Sequence, residues 1–186
     1  MTLTETINNN KTLAHPTVKL TITNYGEIEM ELYQDVAYNT VANFISLAKS
    51  GYYNGIIFHR VIEGFMIQGG DPTGTGCGGP GYAIKGEFAA NGVENNISHV
   101  PGVVSMARTS YPDSAGSQFF ICAADCTFLD KQYAAFGKVT SGLDVVYEIS
   151  KTRTTASDKP TRDVVIKSVT VDEKGGDYSY VEKFEE

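Results

Sequence analysis

The chain has 186 residues, of which 41% are hydrophobic and 20% charged, a composition typical of one soluble globular domain. Its net charge of −7 argues against a nucleic-acid binder, because such proteins neutralise phosphates with Lys and Arg. No apolar run reaches the roughly 18 residues that span a bilayer, which argues against a membrane protein. Residues 1–16 lack a basic segment followed by an apolar core, so the sequence predicts a cytoplasmic protein. The size of the chain predicts a monomer.

The two ends of the chain differ in composition from its centre. Residues 1–16 are polar and rich in Thr and Asn, which predicts a flexible N-terminal extension. Residues 171–186 hold six acidic and two basic residues, so we expect residues 173–186 to form an acidic C-terminal tail. Residues 177–186 are interpreted as a solvated tail or a short terminal helix rather than as a docking segment. A single folded domain is therefore expected over residues 17–172.

Hydrophobic periodicity predicts many short strands and two helices. Residues 18–23 and 27–32 alternate apolar and polar side chains around Asn24-Tyr25-Gly26, which predicts a hairpin. Apolar spacing predicts a helix over 40–50, capped by Asn39 and ended by Gly51, and a second helix over 143–149. Further strands are expected at 56–61, 65–68, 103–107, 118–123, 134–139 and 164–172. So many short strands indicate a mainly β barrel or sandwich.

The glycine-rich loop 69–81 resembles a phosphate cradle only superficially. No helical pattern follows the loop, and the Lys-Ser/Thr end of a P-loop is missing, so we interpret it as an irregular loop at the rim of a site. The cysteines are odd in number and form no Cys-x-x-Cys pair, which argues against a disulfide framework. Cys122 is expected to be buried, and a redox switch at Cys77 or Cys126 stays open.

Two stretches, 58–71 and 116–121, combine apolar residues with amides and one arginine on predicted strands. The side chains that share a face are Met66 with Gln68 on the first and Gln118 with Phe120 on the second. Gln and Arg are rarely buried without partners. The pattern therefore predicts a shallow apolar binding floor with a polar edge rather than plain core.

These two stretches, with the later Phe128-Leu129-Asp130 and Phe136-Gly137-Lys138-Val139, resemble the cyclophilin family of peptidyl-prolyl isomerases. The four motifs occur in the family's order over residues 17–172. The resemblance implies a closed eight-stranded antiparallel β-barrel capped by two α-helices. It also implies catalysis of X-Pro bond rotation in proline-containing peptides and unfolded protein segments.

Rotation about an X-Pro bond breaks no covalent bond, so it needs no nucleophile, metal or cofactor, and we expect none. It needs an apolar slot for the proline ring and a group that prefers the twisted amide to the planar one. We assign the second role to Arg60, whose charged guanidinium can bond the substrate carbonyl and donate toward the prolyl nitrogen.

The remaining site residues come from the resemblance. Gln68 would orient Arg60, and Gln118 and the backbone at Ala107 and Arg108 would hold the peptide extended. The residues implied for the proline slot are Phe65, Met66, Phe120 and Leu129, with Phe128 beside them and Tyr133 at the edge. Arg60, Phe65 and Gln68 are the implied catalytic residues.

Three of these positions depart from the family's common pattern. Phe128 stands where a tryptophan is frequent, so an indole N–H donor is missing and cyclosporin binding is expected to be weak. Tyr133 replaces a common histidine but keeps a flat, polar-tipped edge. Arg108 replaces a common asparagine and adds positive charge beside the site.

Two other functions compete with that of an isomerase. The main alternative is a non-catalytic module that only binds proline-containing segments, although such a module would not need Arg60. A lipocalin-like carrier would need an empty interior, which the many apolar residues oppose. We interpret His59 as a packing histidine with its polar atoms satisfied. Because His15 and His99 belong to no acid–histidine pattern, a hydrolase triad or metal site is not expected.

Overall fold

The computed structural model describes residues 1–185, which form three α-helices, two 3-10 helices and ten strands. The α-helices are α1 (Leu3–Thr12), α2 (Tyr38–Lys49) and α3 (Leu143–Ser150). The strands are β1 (Thr17–Ile22), β2 (Gly26–Leu32), β3 (Arg60–Ile62), β4 (Met66–Gly69), β5 (Tyr82–Ala83), β6 (Val103–Met106), β7 (Phe119–Cys122), β8 (Ala135–Ser141), β9 (Ile166–Asp172) and β10 (Phe184–Glu185). The 3-10 helices are Ala89–Asn91 and Thr127–Leu129.

Eight of the strands form one antiparallel sheet in the order β3-β4-β7-β6-β8-β2-β1-β9. The predicted first hairpin is confirmed: β1 pairs with β2 across a turn in which Asn24 and Gly26 have positive φ. Alternate residues of β1, namely Val18, Leu20 and Ile22, are at most 2% exposed. The alternation therefore fills the interior of the sheet with side chains.

The prediction of a closed barrel is wrong. Strands β3 and β9 are the edges of the sheet, and within residues 1–185 no ladder joins them. The segments before these strands meet at one isolated bridge, Ile57 with Val165. The N–H of Val61 donates to the carbonyl of Asp158 at 2.8 Å. A loop residue therefore occupies the edge of β3 to which a strand would have to bond to close the barrel. The sheet is an open, curled half-barrel.

Helix α2 covers the sheet interior through an aromatic cluster. The Phe44 ring lies 5.0 Å from that of Tyr53 and 5.4 Å from those of Phe119 and Phe136. The predicted cap at Asn39 is wrong, because the helix begins two residues earlier, at Tyr38, with Ala37 as N-cap and no side-chain cap bond. Glu87 instead accepts from the free N–H of Thr40 at 2.6 Å, which supplies the missing cap from a distant loop.

The N-terminal segment differs from the flexible extension that its composition suggests. Helix α1 opens with a capping box in which Thr2 and Glu5 exchange hydrogen bonds. The Asn10 side chain is 2% exposed and donates to the Tyr38 hydroxyl at 2.8 Å and to the Asp177 carbonyl at 2.6 Å. One buried amide thus ties α1 to both α2 and the C-terminal segment, a link that polarity along the chain does not reveal.

The C-terminal segment is likewise packed rather than wholly solvated. Tyr178 is 1% exposed and its ring lies 5.8 Å from that of Tyr38. Further on, β10 pairs with β5 through Phe184 and Ala83. None of the helices within residues 1–185 is long and apolar enough to cross a membrane. Cys122 is buried as predicted, Cys126 is also buried, Cys77 is exposed, and all three are free thiols.

Candidate active site

Three neighbouring strands bring the predicted site residues to one face. The antiparallel register places Gln68 of β4 opposite Arg60 of β3 on one side and Phe120 of β7 on the other. A cavity of about 150 Å³ lies over them. Nine of the eleven predicted site residues line it: Arg60, Phe65, Met66, Gln68, Ala107, Arg108, Phe120, Leu129 and Tyr133.

The polar edge of this cavity is a row of hydrogen bonds. Arg60 Nη1 donates to Gln68 Oε1 at 3.3 Å, and Gln68 Nε2 donates to Gln118 Oε1 at 3.0 Å. Gln118 Nε2 in turn donates to the carbonyls of Gly76 and Gly78, each at 3.0 Å. Within residues 1–185 no carboxylate lies in salt-bridge distance of Arg60. Its exposed guanidinium is therefore oriented by amides and keeps donors free for a ligand.

The apolar floor is made of buried and half-buried side chains. Met66 is 1% exposed and Phe120 5%, and the Tyr133 ring meets Phe120 edge-on at 5.9 Å. Phe128 is not among the residues lining the cavity, but its ring lies 5.7 Å from that of Phe65. It is 71% exposed, so it extends the floor outward rather than closing it.

A buried polar group that sequence reasoning missed lies behind Phe120. The His99 ring stacks on Phe120 at 6.1 Å and 19°, with Nδ1 2.9 Å from Asp130 Oδ1 and Nε2 2.9 Å from Ser105 Oγ. Burial lowers the pKa of His99, so its neutral ring donates to Asp130 and accepts from Ser105. His99 and Ser105 are both 0% exposed, so this row supports Phe120 and offers no nucleophile to a substrate.

The glycine-rich loop has an anchor that its composition hides. The Asp71 carboxylate accepts from the N–H groups of Thr73, Thr75, Gly76 and Gly78 at 2.6–3.1 Å. Burial alone would raise the pKa of Asp71, but these hydrogen bonds outweigh it and hold the pKa well below its usual value. The anchored loop lies at the rim, as predicted, and presents the two carbonyls that hold Gln118.

Arg108 links two walls of the site. Its guanidinium lies 4.6 Å from the Tyr133 ring centroid and 4.9 Å from that of Phe88, and it donates to the Gln132 carbonyl at 2.7 and 3.1 Å. It also lines a second cavity of about 460 Å³, together with Gln118 and the glycine loop. The side chain therefore braces the cavity walls, a role that the expectation of added charge did not include.

No group of three or more potential metal-ligating His, Cys, Asp or Glu side chains occurs in the described chain. The site is instead an apolar hollow beside an oriented cation and a row of amides. Such a surface can bind a small apolar ring and hydrogen-bond the backbone next to it.

Comparison with known proteins places the chain in a family. Residues 17–171 match the model of the family described as cyclophilin type peptidyl-prolyl cis-trans isomerase/CLD. The chain is 48% identical over 140 residues to a peptidyl-prolyl cis-trans isomerase of Helicobacter pylori, covering 74% of this chain and 81% of that protein. It is 44% identical over 151 residues to the isomerase ppi1 of Schizosaccharomyces pombe, covering 80% and 96%.

Other relatives are longer or are known as crystal structures. A peptidyl-prolyl cis-trans isomerase-like 2 protein of Rhizopus delemar is 44% identical over 166 residues, but the chain spans only 29% of that protein's length. A cyclophilin-type isomerase of Cryptosporidium parvum has 33% identity and a TM-score of 0.78, covering 86% of this chain and 98% of that one. The same Cryptosporidium protein has also been solved in the presence of the dipeptide Ala-Pro, with a TM-score of 0.76.

Proposed function

The chain belongs to the cyclophilin-type peptidyl-prolyl cis-trans isomerase family, and we propose that its proline site is the cavity above Met66 and Phe120. The proline ring would occupy this apolar hollow of about 150 Å³. The amide preceding the ring would then lie beside Arg60. The observation that carries the proposal is the Arg60 guanidinium, which Gln68 holds at the cavity rim and which pairs with no carboxylate in residues 1–185.

Arg60 acts on the twisted amide. Rotation about the peptide bond removes amide resonance, against a barrier of about 18–20 kcal/mol, and leaves a lone pair on the prolyl nitrogen to which a guanidinium N–H can donate. One hydrogen bond to a charged group contributes roughly 1.5–3 kcal/mol, or about ten- to a hundredfold in rate. The remaining acceleration comes from moving the amide out of water onto the apolar floor.

The amide row holds the rest of the peptide. Gln68 orients Arg60, and Gln118, fixed by two carbonyls of the glycine loop, faces the extended backbone of the substrate. The N–H of Ala107 already donates to the Gln118 carbonyl at 3.0 Å, so Ala107 offers its carbonyl to the peptide. Contacts of this kind bind the substrate's backbone rather than its side chains. The site can therefore accept proline-containing peptides and unfolded protein segments of varied sequence.

The test of this function separates catalysis from capture. The cis/trans exchange of a short X-Pro peptide is followed by NMR with and without the protein. An isomerase shortens the exchange time well below the tens to hundreds of seconds of the uncatalysed reaction. Peptide resonances that shift on binding while exchange stays at the uncatalysed rate would contradict the proposal and leave a binding module.

We also propose that cyclosporin binds weakly, because Phe128 has no N–H donor and is 71% exposed. A Phe128→Trp variant restores that donor and is expected to bind cyclosporin about tenfold more tightly by calorimetry, the gain that one hydrogen bond provides. Equal affinity of the two proteins would contradict this reasoning. A monomeric state and a cytoplasmic location remain proposals, to be tested by sedimentation and by imaging of the tagged protein.

A further inference from the structure

A separate cavity lies on the far side of Arg60 from the proline site. It measures about 400 Å³. Arg60 and Gln68 line both cavities, so the two cavities adjoin. The other residues lining this flanking cavity are His59, Gly74, Thr75, Gly76, Ser157 and Lys159.

The flanking cavity is positively charged in a protein of net charge −7. Arg60 and Lys159 supply two cations, and no Asp or Glu of the described chain lines the cavity. Neither cation belongs to an ion pair within residues 1–185. Asp71 lies close enough to His59 to influence its ring, but its oxygens are occupied by the donors of the glycine loop. Asp71 keeps its negative charge nearby, but neither Arg60 nor Lys159 has a carboxylate partner of its own in the described chain.

His59 is buried as expected, but its polar atoms are not satisfied. The residue is 7% exposed, and its Nδ1 is buried without a hydrogen-bond partner in the described chain. Burial lowers the pKa of His59; the charge of Asp71 opposes this shift and the charges of Arg60 and Lys159 support it, so the ring is neutral and carries one N–H. The Ser157 hydroxyl is a further polar group of the lining, whereas the Thr75 hydroxyl is already bonded to Thr73 and Asp71. Two cations, a serine hydroxyl and a neutral imidazole, with no acid among the described residues of the lining itself, form a lining suited to an oxyanion.

We propose that this flanking cavity binds the side-chain carboxylate of an Asp or Glu located near the proline of the substrate. The inference rests on the proposed function, because the proline cavity fixes where the peptide lies. Arg60 meets the reacting amide on one side and the edge of the flanking cavity on the other, whereas Lys159 contacts only the flanking cavity. Lys159 is thus the specificity-determining residue, and the enzyme prefers acidic segments around proline.

The test compares matched peptides that carry Glu or Gln at one of four positions, the two before and the two after the proline. Exposed ion pairs of this kind change affinity about two- to fivefold. We expect kcat/KM for Glu to exceed that for Gln by this factor in at least one position. The preference should fall toward one in Lys159→Met and at high ionic strength, since salt screens exposed charges. Lys167→Met, which removes an exposed cation from β9, should keep it.

The other possible results of this experiment contradict either the carboxylate site or the proposed function. Equal Glu and Gln rates at all four positions, or a preference that survives Lys159→Met, refute the carboxylate site. Shifts of the His59 ring signals with inorganic phosphate, without any Glu preference, mean that the cavity takes a free anion and does not read substrates. If neither peptide isomerises faster than in buffer, the proposed function itself fails, and Glu-dependent binding by calorimetry then tests the cavity alone.

Discussion

Replacing Asp71 by Asn should loosen the whole glycine loop. The carboxylate is 1% exposed and accepts four backbone N–H bonds. Whichever way the Asn amide is oriented, its NH₂ group faces at least one of these N–H donors, so at least one hydrogen bond is lost. A hydrogen bond to a charged group contributes roughly 1.5–3 kcal/mol. We expect a loss of about 2–3 kcal/mol, or roughly 4–12 °C in Tm at 2–4 °C per kcal/mol. Thermal unfolding followed by circular dichroism at pH 7 measures it.

The same substitution should change the response to acid. Because the folded-state pKa of Asp71 lies below its usual value, its stabilisation is present above about pH 4 and is lost as pH falls toward the folded pKa. The Asn variant lacks this dependence, so the two Tm curves should converge below pH 4. Asp163→Asn, an exposed control, should leave Tm unchanged. An Asp71→Asn protein as stable as the parent at pH 7 would refute the anchor.

Two other substitutions test the site and its support. Gln68→Ala frees the Arg60 guanidinium and should lower kcat/KM about tenfold, the contribution of one charge-assisted bond. The control Gln132→Ala removes an exposed amide and should leave kcat/KM unchanged. Equal kcat/KM values for the two variants would contradict the orienting role of Gln68. Gly70→Ala places a methyl group into the Ser117 carbonyl at φ +96°, whereas Gly92→Ala at φ +83° meets open space. Chemical denaturation should therefore show a loss of over 2 kcal/mol for the first and about 1 kcal/mol for the second, and equal losses would contradict the steric argument.

The sequence predicted what short-range patterns encode. Alternation located β1 and β2, helical spacing located α2 and α3, and the order of motifs located the strands that carry Arg60 and Gln68. Nine of the eleven candidate residues meet at one cavity because a period of two fixes which side chains share a face.

The rest depends on contacts between distant segments. Asp130 and His99 are 31 positions apart, and Asn10 reaches Asp177 across 167, so no local window contains these pairs. The open edge of the sheet likewise depends on a loop carbonyl at Asp158, which bonds β3 in place of a strand. The polar composition of the chain ends predicts that they are solvated. It does not reveal that one buried amide, that of Asn10, hydrogen-bonds two distant segments.

The most direct test of the account is the exchange rate of an X-Pro peptide bound at saturation to the parent and to Arg60→Ala, measured by NMR together with the peptide Kd. If Arg60 prefers the twisted amide, exchange within the complex falls about tenfold or more in the variant while Kd changes much less. An unchanged exchange rate with a weakened Kd would contradict the account, because Arg60 would then bind the planar and twisted amides equally.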